Sequence, residues 1–374
     1  MHHAPDPSKD NNLDDLPPPQ PVHYAEQALL GALLLDPHRL ADIGPLEPGQ
    51  FSNHAHGALY AAMRTVPAPD PDTHRTTPAW LNTVLDAARP QAPGLTATYL
   101  HNLIQVCPWP KHAPAYARMV RADHARRMLR LHAERLAQTS MDATLPNPAT
   151  ATMAQADTLG QFLETLSSQF APHPGSLPRT QPPQAPPRNV GEEVLGEERA
   201  LLATAVAHPA ELQDMRWLQS EDFALPLHAA LWQCLTSLVH RGEPVDPITV
   251  LWEAQHRHLL ADGLAPSDLM ALVSTPVGSP EYWGEKVLQR ALLARAHAVA
   301  SRITAYTEDP ANTPHQLITG SRRALADLTS LRTRWQHTTT ATAPPTAGRT
   351  PRTPAVTRAG PPPPSTAPAA RAIR

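Results

Sequence analysis

The chain has 374 residues, enough for two domains of ordinary size, each with its own core. Its formal net charge of -3 excludes a molecule-wide basic field of the kind that grips nucleic acid, and its two cysteines, Cys107 and Cys234, make neither a CxxC metal pair nor a disulfide framework. Hydrophobic residues at 41% with aromatics at only 5%, and regular stretches dominated by Ala and Leu, point to an all-α fold.

Residues 1–21 are polar and proline-rich, too poor in apolar side chains to repay ordering, and are expected to form a disordered leader. The N-terminus lacks a basic-then-apolar targeting segment and no apolar run approaches bilayer length, so the expected location is the cytoplasm. A first folded unit is expected over 22–170. Tyr24–Leu35 is apolar nearly all round, as in a helix buried on several sides, and Asp36-Pro37 ends it. A second helix is predicted over His54–Arg64. Thr98–Val106 and Ala113–Gln138 flank Cys107-Pro108-Trp109-Pro110, whose prolines force a turn and make an antiparallel helical hairpin. A trailing helix follows over 151–170, with Leu159, Phe162, Leu163 and Leu166 at helical spacing.

Residues 171–191 are proline-dense and read as a stiff, extended linker between separately folded halves. A second unit is expected over 192–335: Pro266–Thr275, a turn at Pro276–Pro280, a long helix over Glu281–Tyr306, and a trailing helix over Gln316–Trp335. Residues 336–374 carry five arginines and no acid among Thr, Ala and Pro, the composition of a mildly basic disordered tail.

The two units are copies of one another. A shift of 172 places Glu26 on Glu198, Leu29 on Leu201, Pro37 on Pro209, Phe51 on Phe223 and His56 on His228, giving 12 identities in the 35 positions from Glu26 to Tyr60. The matches are mostly apolar and periodic, so what is shared is a core.

Chemistry-bearing residue types are present but do not assemble into a catalytic pattern. His54 with His56, or His256 and His258 with Glu253, lack the third or fourth ligand that a zinc site requires, and His56 and His228 are expected to be partly buried and bonded to backbone. Phe51 with Tyr60, and Phe223 with Trp232, could stack on bases, but their repeat-equivalent places in apolar runs favour core packing. Arg118, Arg121, Arg126, Arg127 and Arg130 give the first hairpin helix a local positive excess. At 100° per residue they scatter around the axis, which favours a solvated or interface surface over a nucleic-acid track. A phosphate loop needs lysine beside glycine, and Lys9, Lys111 and Lys286 follow Ser8, Pro110 and Glu285, so no nucleotide or other cofactor is expected.

The run Ala25–Pro37, the stretch Leu46–Phe51 followed by His56 and Leu59-Tyr60, and Tyr116–Arg121 with Arg126-Arg127 closely resemble the N-terminal collar domain of DnaB-type replicative helicases. Glu221-Asp222-Phe223, His228, Leu231-Trp232 and Gly242–Asp246 carry the likeness into the second copy, where Ala203 replaces Gly31 and His208 replaces Asp36. The resemblance covers roughly 22–139 and 192–335 and implies that Glu26, Gly31, Pro37, Phe51, His56, Glu198, Pro209, Phe223 and His228 are family structural positions. Collar domains line up as a ring in which hairpins pair neighbours and a surface faces primase or a loader; Tyr116 and Val120, opposite Trp283 and Val287, are the positions expected at or beneath such a contact. The family continues into an ATPase motor, in whose place the resemblance leads us to expect a second collar here. The expected function is therefore a non-catalytic assembly or adaptor protein of bacterial DNA replication, a homo-oligomer or a partner of helicase, primase or loader. A nucleic-acid-binding accessory factor using the hairpin arginines and the tail is the alternative, and a helicase part whose motor lies on another chain is the third reading.

Overall fold

The computed structural model describes residues 20–77, 79–173, 177–181, 191–260 and 265–341. The leader up to residue 19, linker residues 174–176 and 182–190, and the tail from 342 lie outside the described residues. Among the described residues every regular element is helical, so the fold is all-α.

In copy one, α1 (Pro21–Leu35) is followed by short 3-10 turns and by α2 (His54–Thr65), α3 (Pro71–Thr76), α4 (Ala79–Ala88) and α5 (Ala97–Val106). These make a compact head. The long hairpin helix α6 (Ala113–Met141) and the trailing α7 (Pro148–Gln169) extend from it. Copy two repeats the order with α8 (Glu192–Ala207), α9 (Pro226–Arg241), α10 (Pro247–His256), α11 (Pro266–Leu272), α12 (Pro280–Glu308), α13 (Pro314–Ala326) and α14 (Thr329–Ala341).

Local chemistry sets the ends. Proline opens most of these helices, where its missing N–H costs nothing. Asn53, Asp70, Thr96, Asp246, Ser279 and Thr313 cap with side-chain oxygens. α3 and α4 form between Arg64 and Thr98, where no helix is expected from the sequence. The single helix expected over Gln316–Trp335 is broken at Asp327-Leu328. Leu325, Leu328 and Leu331 recur every three residues, and keeping them on one face tightens the chain: Asp327 and Leu328 donate backbone N–H to Ala324 and Leu325, three residues back.

At Gly31 the axes of α1 and α5 approach so closely that a Cβ there would lie 2.0 Å from the carbonyl oxygen of Leu103. The head of copy one has its own core, built on Leu29, Leu33, Leu59, Met63, Trp80 and Leu103. The larger core does not respect the division between copies. It takes Ala125, Leu129, Ala133 and Leu136 from α6 and Leu159, Leu163 and Leu166 from α7, together with the interior of copy two.

Candidate assembly interface

Each head contains the same buried polar device. Glu26 and His56 are both fully buried, with His56 Nδ1 2.7 Å from Glu26 Oε2, and the Ser52 N–H donates to Glu26 Oε1 at 2.5 Å. In copy two His228 Nδ1 stands 2.7 Å from Glu198 Oε2, and the N–H groups of Ala224 and Leu225 donate to the same carboxylate at 2.5 and 3.4 Å. Burial alone would raise the Glu26 carboxyl, but the bonds from His56 and Ser52 outweigh it and hold it below the ordinary value. The pair ties the first helix of each head to the turn and helix that follow. In copy one His56 Nε2 also meets the Tyr99 hydroxyl at 2.6 Å, which brings in α5. The expectation of partly buried histidines bonded to backbone is corrected: both rings are essentially inaccessible and their Nδ1 partner is a carboxylate.

The other family positions are structural too. Gly31 and Pro37 are buried in the copy-one head, and Phe51 packs on Tyr60 with ring centroids 5.2 Å apart, as Phe223 packs on Trp232 at 5.7 Å. Pro209 opens the 3-10 turn after α8. His54, His256 and His258 are exposed, and no group of three or more His, Cys, Asp or Glu suited to a metal occurs among the described residues. Burial pushes the Cys107 thiol up and that of Cys234 to about 11, so neither is poised as a thiolate nucleophile.

The surface that joins the copies lies along α6 and α12. These helices run antiparallel: Arg126, midway along α6, reaches the C-terminal end of α12, while Met141 at the end of α6 shares a groove with Leu293 and Ala294 in the middle of α12. The shared core takes Ala125, Leu129, Ala133 and Leu136 from one and Leu292, Ala296, Ala300 and Ile303 from the other. At one end Arg126 Nη1 donates to the carbonyls of Thr307 (2.9 Å) and Asp309 (2.6 Å), and Nη2 to those of Pro310 (3.4 Å) and Asn312 (2.5 Å). Arg130 adds an ion pair to Glu308 at 3.3 Å. At the other end a groove of about 660 Å³ opens between Met141, Asp142 and Ala143 of copy one and Arg290, Leu293 and Ala294 of copy two.

The trailing helices close the assembly. α7 packs on α6, α12 and α13, and its leucines are buried inside the chain. Arg322 pairs with Glu164 at 2.7 Å and Arg332 with Asp157, crossing from one copy's trailing helix to the other's.

Two sets of expected site residues take different places from those expected. Val120 is buried in the copy-one head and Tyr116 packs beside it, while Val287 is buried and Trp283 half-buried in the larger core. The antiparallel run carries these two sets away from each other instead of setting them face to face, because both occupy the head-proximal half of their own long helix. Of the five arginines, Arg121 donates to the carbonyls of Ile43 (2.8 Å) and Pro45 (3.1 Å), and Arg127 to Asp123 and the Gln50 carbonyl at 2.8 Å each. Arg130 bonds Glu134 at 2.7 Å, and Arg118 is exposed. Burial pushes the Arg126 guanidinium down, against the opposing pull of Asp123 and Asp309.

Residues 18–122 and 192–284 match the family described as DnaB-like helicase N terminal domain, together more than half of the sequence. The chain belongs to that family. Among curated proteins it is similar to the replicative DNA helicase DnaB of Mycobacterium leprae (strain TN), with 31% identity over 129 residues, 34% of this chain and 20% of the relative. The replicative DNA helicase DnaB of Leifsonia xyli subsp. xyli (strain CTCB07) is 28% identical over 123 residues, 32% of this chain and 27% of the relative. The chain thus spans about a fifth to a quarter of the length of these relatives. No solved structure matches it. Family membership links the chain to DNA replication of the replicative-helicase kind, and no helix of the described residues is long and apolar enough to cross a membrane.

Proposed function

We propose that this chain is a non-catalytic assembly module of DNA replication, a pre-paired tandem of collar-type domains that engages a replicative helicase, its primase or its loader. One observation carries the reading: α6, which begins within the first family match, and α7, which follows it, share a core with the second copy, so the two copies form one unit that offers a surface. The arginines support it from the other side. Arg121, Arg126, Arg127 and Arg130 are engaged with carbonyls and carboxylates of this chain, which leaves fewer of the hairpin's guanidinium N–H donors for phosphates.

Retention of purified helicase, primase or loader from the same host on the immobilised chain at physiological salt tests the proposal. Capture of one of them is expected, with no phosphate release from ATP. Single-stranded DNA should bind with a salt slope shallower than about -1, against about -3.5 if all five arginines held phosphates. DNA-stimulated ATP hydrolysis by the pure chain, or the steep slope without capture of any of the three proteins, would overturn it.

A further inference from the structure

We propose that the pairing of the copies is directional: Arg126 is a key that copy one alone carries, and the carbonyl-lined turn after α12 is the receptor that copy two alone offers. The partner that fits the copy-two hairpin is accordingly an arginine-bearing hairpin, here copy one of the same chain. This does not depend on the adaptor reading.

The two long helices share one register. Each has 29 residues. Aligned from their first residues, the buried positions coincide: Val120 with Val287, Ala125 with Leu292, Leu129 with Ala296, Ala133 with Ala300, Leu136 with Ile303. In that register the counterpart of Arg126 is Leu293. An antiparallel pair of equivalent helices has an approximate two-fold axis, which maps the Arg126 contact onto a contact between Leu293 and the turn after α6. That second place is the groove bounded by Met141, Asp142, Ala143 and Leu293. One end of the pair is thus bonded through a guanidinium and its mate is open.

The receptor end is built for a guanidinium. The last carbonyls of a helix lack intrahelical donors and form the negative end of its dipole. After α12 the chain turns so that the oxygens of Thr307, Asp309, Pro310 and Asn312 converge on one point, where a planar group with five N–H donors can reach all four. The turn is held before the key arrives. Buried Asn312 donates from Nδ2 to the Tyr306 carbonyl (2.9 Å) and to Thr180 Oγ1 (2.8 Å), and the Thr180 hydroxyl donates to Asp309 Oδ2 at 2.6 Å. Thr180 comes from the segment between the copies, so the connection itself props the receptor. The turn after α6 makes the same first bond, Thr144 N–H to Asp142 Oδ1 as Ala311 N–H to Asp309 Oδ1, but in this register Leu145 stands where Asn312 does, so the amide brace is not repeated there. A pair of two second copies would set Leu293 against the receptor carbonyls and leave them without this donor.

The full-length protein with residues 182–190 replaced by a protease site, cut after folding, tests the direction. Cut wild type should elute as a one-to-one complex of its two pieces. Arg126→Leu should weaken that complex at least tenfold on dilution, and Arg126→Lys should weaken it too, because an ammonium on one nitrogen cannot span four carbonyls. Arg127→Leu and Leu293→Ala should change it less than threefold. If Arg126→Leu lowers helicity, Arg126→Lys with native helicity decides. Association of Arg126 variants as tight as that of Arg127→Leu, or redistribution of the cut wild type into pairs of like pieces, would overturn the proposal.

Discussion

The two heads keep one polar device and finish their packing by different means. In copy one, Gly31 lets α5 lie directly against α1, and α4 buries Trp80, Val84, Leu85 and Ala88. In copy two Ala203 stands in that place, α11 is only 7 residues long, and α10 buries Val250 and Ala254 while leaving Ile248 and Trp252 exposed. Ion pairs tie the second head where apolar contact ties the first: Glu253 bonds Arg241 at 2.7 Å and Arg257 at 2.8 Å. The shared Glu–His pair holds the frame, and around it either kind of finish is tolerated.

The largest test of that comparison is of what the heads share. Glu26→Ala and Glu198→Ala should each cost about 3–5 kcal/mol, since each strands a buried imidazole and backbone N–H groups. Urea unfolding followed by circular dichroism should give similar losses for the two; a loss confined to one copy would mean that the frame is not common. Next comes the feature that separates them. Gly31→Ala should destabilise by about 3 kcal/mol, because the new methyl meets backbone that cannot swing aside, whereas Ala203→Gly should cost about 1 kcal/mol or less, the helix-propensity difference alone. Equal costs would dissolve the contrast. The smallest effect is acid sensitivity. The Glu253 carboxyl, bonded by Arg241 and Arg257, is held at about 2, below its ordinary 4.5. Its depressed value means that it stabilises above about pH 4.5 and that this contribution fades as pH falls towards 2. After screening of the half-exposed Arg241, about 1–2 kcal/mol is at stake. Hydrogen exchange in α10 should accelerate over this window while α4 does not, and Glu253→Gln should remove the step.

The duplication, the hairpins and the first two helices were legible because proline positions and apolar periodicity are local signals. The Glu26–His56 pair was legible in principle: acid and imidazole stand thirty residues apart in both copies, and an acid kept inside an apolar helix needs a partner. Arg126 was not. Its partners are backbone carbonyls more than 180 residues away, and carbonyls carry no residue identity. Nor was the sharing of the larger core, since the leucines of α6 and α7 show the same spacing whether they face their own head or the other copy. The proline-dense segment reads as a spacer, yet Leu177, Pro178 and Thr180 rest on α12 and α13.

That shared core also bears on how the protein is made. The apolar stripe of α6 is complete once Leu136 has been synthesised, but α12, against which it packs, ends only at Glu308. At about 5–20 residues per second, roughly 10–35 seconds separate the two on the ribosome. Through that interval Leu129 and Leu136 have one cover already emerging behind them, α7, which packs on the same helix. The trailing helix of the first copy therefore reaches α6 first and covers one side of it, while the side that α12 takes stays open until the second half of the polypeptide arrives.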